Sequence, residues 1–460
     1  MRTVVYYQAR SYIRAFGDVN TLLRAGEKEF AVSCEAISRV DVVHLPANLP
    51  TEDFYSGAKC LSSNAYLFGV FDGHGGTSCS HHVAMQLYDY VGASVIEKHV
   101  VKDLPLQHRI KWLFSNIKNF DGYKRNCYLW NVMVKDYVLI KYCRDEHWRN
   151  VHNFYESSCR NKTFTTVEKS LEEAFEALDN DFMREALQDS NGKLNKRRIN
   201  IVRSGSCAIV AHLRKQHMHI ANVGDSAAVL GVFNHGHISA RLLSKAHCIE
   251  NGDEIKRLRT SHPAEERGKV LKAGRLFGEL YPLRAFGDAR YKWSKNVQEE
   301  VFKPFGDIPP NGIHTPPYLS AQPEVLYHRL TLNDRFLVLA SDGLWDWLDP
   351  DTVVRLVFDH ELGLQTLIPY QSGEGVPLSQ VEEGLKHRAV GDNGKPLDAN
   401  SATHLLRHAL SGCSGGPDYR YKRLAQLLHI PPGMARNYRD DITIIVIHLN
   451  PDYFKSSEPE

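Results

Sequence analysis

The stretch Ala65-Tyr66-Leu67-Phe68-Gly69-Val70-Phe71-Asp72-Gly73-His74-Gly75-Gly76 is an apolar run that stops abruptly in a glycine-rich turn. A short run of apolar, aromatic and β-branched residues bounded by Gly and Asp predicts a strand feeding a tight turn. The glycines let the main chain approach a ligand closely, which leaves Asp72 and His74 as the turn's chemically active side chains. A carboxylate is a hard oxygen donor suited to Mg²⁺ or Mn²⁺, and a peptide carbonyl freed by a glycine turn is another. Asp-Gly is also the commonest signal of an ordinary hairpin turn, so the hexapeptide alone leaves both readings open.

Outward from this turn, Val83, Leu87, Tyr90 and Val91 predict a core-facing helix between Thr77 and His99. Leu171, Ala174, Phe175, Leu178 and Phe182 step by three and four and predict another over Val167–Leu187. Ser206–Leu213, His217–Val223 and Ala227–Phe233 are short apolar runs with tight connections, which predict an antiparallel meander. Phe336–Ala340 and Ile442–Leu449 are further strands, with helical patterns between them at Thr352–Phe358, Ala402–Leu410 and Leu424–Leu428. Residues 18–64, with Pro46, Pro50 and Gly57, read as a lead-in, and the proline-rich 301–317 as a loop. One arrangement recurs along the chain: an apolar strand beside an acid-bearing turn, at Asp72, Asp225, Asp342 and Asp440.

Four such turns can converge at one edge of a sheet structure. Carboxylates brought together repel, and that cost is relieved when they share divalent cations. A set of carboxylates without His or Cys ligands selects Mg²⁺ or Mn²⁺. Two such ions roughly 3.5–4 Å apart are the usual device for displacement at phosphorus. His74 could then protonate the departing alkoxide; its alternative is a histidine merely hydrogen-bonded in a turn.

The segments Phe71–Gly76, Ala221-Asn222-Val223-Gly224-Asp225-Ser226, Ser341-Asp342-Gly343-Leu344-Trp345-Asp346 and Arg439-Asp440-Asp441 stand in a telling order. In that order the chain resembles the metal-dependent type 2C serine/threonine protein phosphatases. The resemblance covers residues 46–449 and runs further with one branch, the pyruvate dehydrogenase phosphatases. Its marks are Leu283-Arg284-Ala285-Phe286-Gly287-Asp288, then Lys292-Trp293-Ser294, Tyr318–Val325, Ala402–His408 and Tyr438–Ile445.

The resemblance implies an α/β (α+β) fold, two packed antiparallel β-sheets flanked by helices in an αββα sandwich. It implies two Mg²⁺ or Mn²⁺ ions and a weaker third. Asp72 would bridge the two, the Gly73 carbonyl would bind one, and Asp342 and Asp440 would complete the coordination of the second metal. Glu52 and Asp53 would act through metal-bound waters, Asp225 and Asp346 with Asp342 would form the third site, and His74 would be the general acid. Many family members carry a phosphate-gripping arginine where this chain has Asn48, as its branch also does. Asn48 is thus a substrate-binding candidate without a bidentate clamp. Asp441 replaces a usual asparagine, again as in that branch.

Composition sets the outer limits. The chain has 460 residues, 43% hydrophobic and 24% charged, which is ordinary for a globular protein. A net charge of +2 gives no global case for nucleic acid as a partner. No apolar run approaches the roughly 20 residues that span a bilayer. Nine cysteines without regular spacing argue against a disulfide scaffold or zinc, and for a reducing compartment. The sequon Asn161-Lys162-Thr163 is then a chance match. Arg2, Arg10 and Arg14, with no acid before Asp18, resemble a short mitochondrial presequence over residues 1–17, against a solvated basic N-terminus.

The expected organisation is a lead-in over 1–45, a single catalytic domain over 46–450 with inserts near 100–165 and 360–435, and a tail over 451–460. The expected partner is a phosphoprotein, the pyruvate dehydrogenase complex in the mitochondrial matrix, with a regulatory subunit as a further candidate. Two alternatives compete: the same chemistry on another phosphoprotein outside mitochondria, and an inactive family member used as a binding module. The basic, aromatic segment 100–165, with Lys124, Arg125 and Lys141, is a candidate contact for the multienzyme partner.

Overall fold

Ile442–Leu449 is buried at every residue, six consecutive β-branched residues followed by His448 and Leu449. The computed structural model describes residues 19–30, 32–60, 63–96, 117–119, 137–161, 166–187, 193–307, 309–363, 375–383, 398–412, 414–431 and 433–455. Lys124 and Arg125, the presequence candidate 1–17 and much of the 360–435 insert lie outside those residues, as does the side chain of Lys141. The chain forms two compact units, one of residues 1–51, 228–242 and 331–460, the other of 52–227 and 243–330.

The first unit is built on a six-stranded sheet. Its strands are β1 (Glu27–Phe30), β2 (Ile37–Leu45), β10 (Ala227–Asn234), β11 (His237–Leu242), β16 (Asp334–Ala340) and β17 (Ile442–Leu449). Their order is β1-β2-β17-β16-β10-β11. Antiparallel pairing of Ala340 with Ile444 and of Ile442 with Leu45 fixes the register. The end of β16, the start of β17 and the end of β2 therefore share one edge, where Asp342, Asp440 and the 46–51 loop follow. Helices Pro350–Glu361 and Ser401–Ser411 bury Val353, Val357, Leu405 and Leu406 in a core with Phe336, Val338 and Val446. Asp349 caps the first by accepting from Thr352 N–H, and Pro350 sits in its first turn, so it starts earlier than the apolar pattern alone indicates.

The second unit carries β3 (Phe54–Cys60), β4 (Ala65–Phe71), β6 (Ile117–Asn119), β8 (Ala208–Arg214), β9 (His217–Val223) and β15 (Glu324–Arg329), in the order β15-β9-β8-β4-β3-β6. Helices Ser78–Ser94 and Val167–Glu185 cover it. Thr166 caps the latter, and its stripe of Leu171, Phe175, Leu178 and Phe182 is at most 2% exposed. Each such side chain contributes about 1.5–3 kcal/mol of burial. A second, smaller core around Leu258, Leu283, Tyr291 and Tyr318 includes the hairpin β12 (Leu271–Lys272) and β13 (Arg275–Leu276). Three two-residue strands, β5 (Gly73–His74), β7 (Gly205–Ser206) and β14 (Phe286–Gly287), make a miniature sheet in the order β14-β7-β5.

Antiparallel sheets with flanking helices are thus present, as expected for a mixed α/β fold. Two local expectations need correction. The meander is broken: β8 and β9 pair, but β10 belongs to the other six-stranded sheet. The link Gly224-Asp225-Ser226 is a crossover and not a hairpin, and Gly224 takes the φ of +102° that it requires. Residues 18–64 are no mere lead-in, since they supply β1, β2 and β3. Asp41 conceals β2 in sequence, because its buried carboxylate accepts from Ser401 N–H at 2.8 Å and pairs with Arg39 at 3.0 Å.

Candidate active site

In the second unit the site starts where β4 stops. Phe54 pairs with Phe71, so Asp53 and Asp72 follow each other across the ends of β3 and β4. The Asp72 carbonyl accepts from Cys207 N–H at 2.8 Å, which ties the turn to the start of β8. A Cβ on Gly73 would lie 2.3 Å from the Glu52 carbonyl oxygen and 2.4 Å from Ser80 Oγ, so this position requires glycine. Glu52 is pinned from both ends, its carboxylate accepting from Gly76 N–H and its carbonyl from Ser80 Oγ, each at 2.5 Å. Gly75 and Gly76 take φ of +68° and +124° to close the turn.

The miniature sheet orients His74. Gly73 and His74 pair with Ser206 and Gly205, which pair in turn with Phe286 and Gly287. This brings His74 Nε2 to 2.6 Å from Asp288 Oδ2. A Cβ on Gly205 would fall 2.1 Å from that nitrogen and 2.3 Å from that oxygen, so the pair forms over a bare backbone. Burial pulls the imidazole pKa down, but the Asp288 charge and hydrogen bond, with Asp225 and Glu52 beyond, leave it raised above its ordinary value. Asp288 itself is held in the left-handed region, φ 52°, with its N–H on the Ser204 carbonyl at 3.0 Å. Asp179 braces the same strand, accepting from Gly287 N–H at 2.9 Å and from Lys292 at 2.7 Å.

Asp225 arrives from the crossover. Oxygens of Asp72 and Asp225 lie within 4.8 Å of each other. Cys207 Sγ donates to Asp225 Oδ1 at 3.1 Å, and burial pushes that thiol's pKa well up, so it stays a donor. Gly224 donates to His247 Nδ1 at 3.1 Å, and its carbonyl accepts from His247 N–H at 2.9 Å. The second unit thus gathers Glu52, Asp53, Asp72, Gly73, His74 and Asp225 about one turn. Its donors are oxygens from carboxylates and a glycine carbonyl, a set that fits Mg²⁺ or Mn²⁺.

The first unit holds the remaining candidates at its sheet edge. Asp342 opens the single-turn helix Asp342–Trp345 directly after β16, and Asp346 is exposed just beyond it. A Cβ on Gly343 would lie 2.1 Å from the Asp441 carbonyl oxygen, so glycine lets the two turns touch. Asp440 accepts from Asp441 N–H at 2.8 Å and pairs with Arg436. Asp441 is buried and serves the 46–51 loop. It accepts from Ala47 N–H, from Asn48 N–H at 2.8 Å, from Asn48 Nδ2 at 3.3 Å and from Thr51 Oγ1 at 2.9 Å. The Asn48 amide is therefore engaged with Asp441.

Sequence reasoning passed over Asp288, Cys207 and His247. Asp288 carried a usable signal: Phe286-Gly287-Asp288 is another short apolar piece ending in Gly-Asp. Nothing local marks Cys207 or His247 as a neighbour of the Gly224-Asp225 crossover.

Comparison with known proteins decides the family. The family model for protein phosphatase 2C matches residues 134–366, and two human relatives align across almost the whole chain. The chain belongs to the protein phosphatase 2C family. One relative, human [pyruvate dehydrogenase [acetyl-transferring]]-phosphatase 1, mitochondrial, is 37% identical, covering 94% of this chain and 82% of its own. Human phosphatase 2 of the same name is 32% identical over 94% of this chain and 83% of its own. A serine-threonine phosphatase 2C structure from Toxoplasma gondii aligns with 92% of this chain and 98% of its own, at 15% identity and a TM-score of 0.46. As a protein phosphatase of this family the chain is a hydrolase with the family's metal dependence. Among the described residues no helix is long and apolar enough to cross a membrane.

Proposed function

We propose that this phosphatase removes phosphate from phosphoserine on the pyruvate dehydrogenase complex, reactivating it in the mitochondrial matrix. The observation that carries the reading is the 37% identity, over 94% of the chain, to a mitochondrial phosphatase named for that substrate. Residues 46–450 act as one catalytic domain, and a regulatory subunit is a further partner.

In this reading Asp72, the Gly73 carbonyl, Asp342 and Asp440 hold two Mg²⁺ or Mn²⁺ ions. Glu52 and Asp53 contribute through bound waters, and Asp225 and Asp346 with Asp342 hold a weaker third. When bound, the ions would lower the pKa of a bound water so that hydroxide is available for direct attack on phosphorus without a phosphoenzyme, and would neutralise the phosphoryl oxygens. The remaining work is proton transfer by the chain itself. Asp288 engages His74 Nε2, so the proton given to the departing serine alkoxide sits on Nδ1. After the transfer, Asp288 favours the neutral tautomer with its hydrogen on Nε2.

The test compares purified phospho-pyruvate dehydrogenase with an unrelated phosphoserine protein, each with Mn²⁺ and with excess chelator. Faster, chelator-sensitive turnover of the former is expected, abolished in Asp72→Asn and Asp342→Asn. Equal rates on the two substrates would remove the proposed specificity, and activity surviving the chelator would remove the two-metal mechanism.

A further inference from the structure

Three cationic or amide groups flank Asp440 and Asp441 in the first unit, and they are not equivalent. The Asn48 amide is spent on Asp441. Arg439 is 8% exposed and donates to the carbonyls of Pro46 at 2.7 Å, Asp440 at 3.0 Å and Leu45 at 3.4 Å. It ties the Leu45–Pro46 backbone to its own strand-end turn and is buried there. Arg436 is different. It stands on the 3₁₀ turn Ala435–Asn437, its side chain is 51% exposed, and one guanidinium nitrogen pairs with Asp440 Oδ2.

Resting on the phosphatase reading above, we propose that Arg436 binds the substrate phosphate, the function that Asn48 cannot supply as a fork. Arg436 is half-exposed and its carboxylate partner a quarter exposed, so water screens the ion pair and leaves it weak and replaceable. A metal ion held by Asp440 would satisfy that carboxylate's charge and so weaken its hold on Arg436. A planar guanidinium then matches two non-bridging phosphate oxygens in the same geometry that it uses for a carboxylate. The long side chain, anchored on a short turn, needs only a rotamer change to move between the two oxyanions.

The opposing view makes Arg436 a placeholder that neutralises Asp440 and nothing more. Inorganic phosphate, as product and competitive inhibitor, separates the two when its inhibition constant is measured at saturating Mn²⁺ for the full chain, Arg436→Ala and Arg436→Lys. Manganese affinity is measured separately by calorimetry, and thermal melting checks that each variant is folded. The inference expects Arg436→Ala to raise the phosphate inhibition constant about 10-fold or more. Manganese should bind as tightly as before or more tightly, since a competitor for Asp440 is gone. Arg436→Lys should recover part of the phosphate affinity through its charge without the fork. A placeholder would change only the manganese affinity, so a phosphate constant within twofold of the parent protein overturns the inference and leaves the phosphatase reading intact. Metal-independent turnover by the unmodified protein would overturn both.

Discussion

His74 Nε2 and Asp288 Oδ2 stand 2.6 Å apart although 214 residues separate them in sequence. The carboxylate fixes which ring nitrogen faces inward and offsets the burial that would otherwise strip the imidazole of its proton. Asp288→Asn keeps the shape and removes the charge. Hydrolysis of a phosphoserine peptide should fall about 10- to 100-fold, up to the low end of the roughly 100- to 10,000-fold that general acid catalysis supplies, because His74 itself remains. p-Nitrophenyl phosphate should suffer much less, because nitrophenolate leaves without protonation. Equal losses on the two substrates would show that Asp288 acts on something other than leaving-group protonation.

Gly205→Ala tests the same pair through the backbone. The added methyl would meet both partners at little more than 2 Å, 2.1 Å from His74 Nε2 and 2.3 Å from Asp288 Oδ2. Separating them is the cheapest relief, so activity on phosphoserine should drop as far as in Asp288→Asn. Overpacking should also cost about 1–3 kcal/mol of stability, measured by urea unfolding. Full activity with a normal urea midpoint would mean that the turn can shift without harm.

What was legible in sequence is what local chemistry dictates. The β4 strand and its turn, the stripe of the Val167–Glu185 helix and the β17 run could be read because apolar spacing and glycine act over a few residues. The acid-bearing turns could be read as a set because each adjoins one end of an apolar strand. Which sheet β10 joins was not legible, since a strand buried on both faces carries no label for its neighbours. β2 was hidden by Asp41 and Arg39, whose partners Ser401 and His448 lie some hundreds of residues away, 360 and 407 from Asp41. The same distance problem concealed the pairing of Asp288 with His74, 214 residues away, and the use of Asp441 as a brace for the 46–51 loop.

Asp398 and Arg407 offer a stability test remote from the chemistry. Both are buried, 0% and 1% exposed, and joined by two hydrogen bonds, Nε to Oδ2 at 2.7 Å and a terminal nitrogen to Oδ1 at 2.6 Å. Asp398→Ala leaves a buried guanidinium without its counter-ion, which typically costs about 3–5 kcal/mol. A urea midpoint unchanged by this substitution would sink the assignment. Replacing both residues with apolar ones of similar volume should recover much of the loss, because the desolvation of two charges is then removed as well.

Acid should destabilise the protein well before its carboxylates are protonated. Burial depresses the pKa of His82 to about 3, of His212 to about 3 and of His360 to about 4. In the unfolded chain each titrates near 6.5. Between those values the unfolded state binds more protons, so stability falls as pH drops. Their contribution is complete above pH 6.5 or so and is lost progressively towards pH 3–4, each unit of difference being worth about 1.4 kcal/mol. His448, raised by its hydrogen bonds to Asp41 and Glu361 against the pull of burial, works the other way. Its contribution is full below its unfolded pKa and fades as pH rises through the raised folded value. Three depressed histidines outweigh it on the acid side, so the urea midpoint should decline steeply from pH 6.5 to pH 4.5. His212→Leu, which removes a buried imidazole whose two nitrogens have no hydrogen-bond partner, should flatten that decline. A midpoint that holds level down to pH 4.5 would show that these imidazoles are protonated in the folded protein after all.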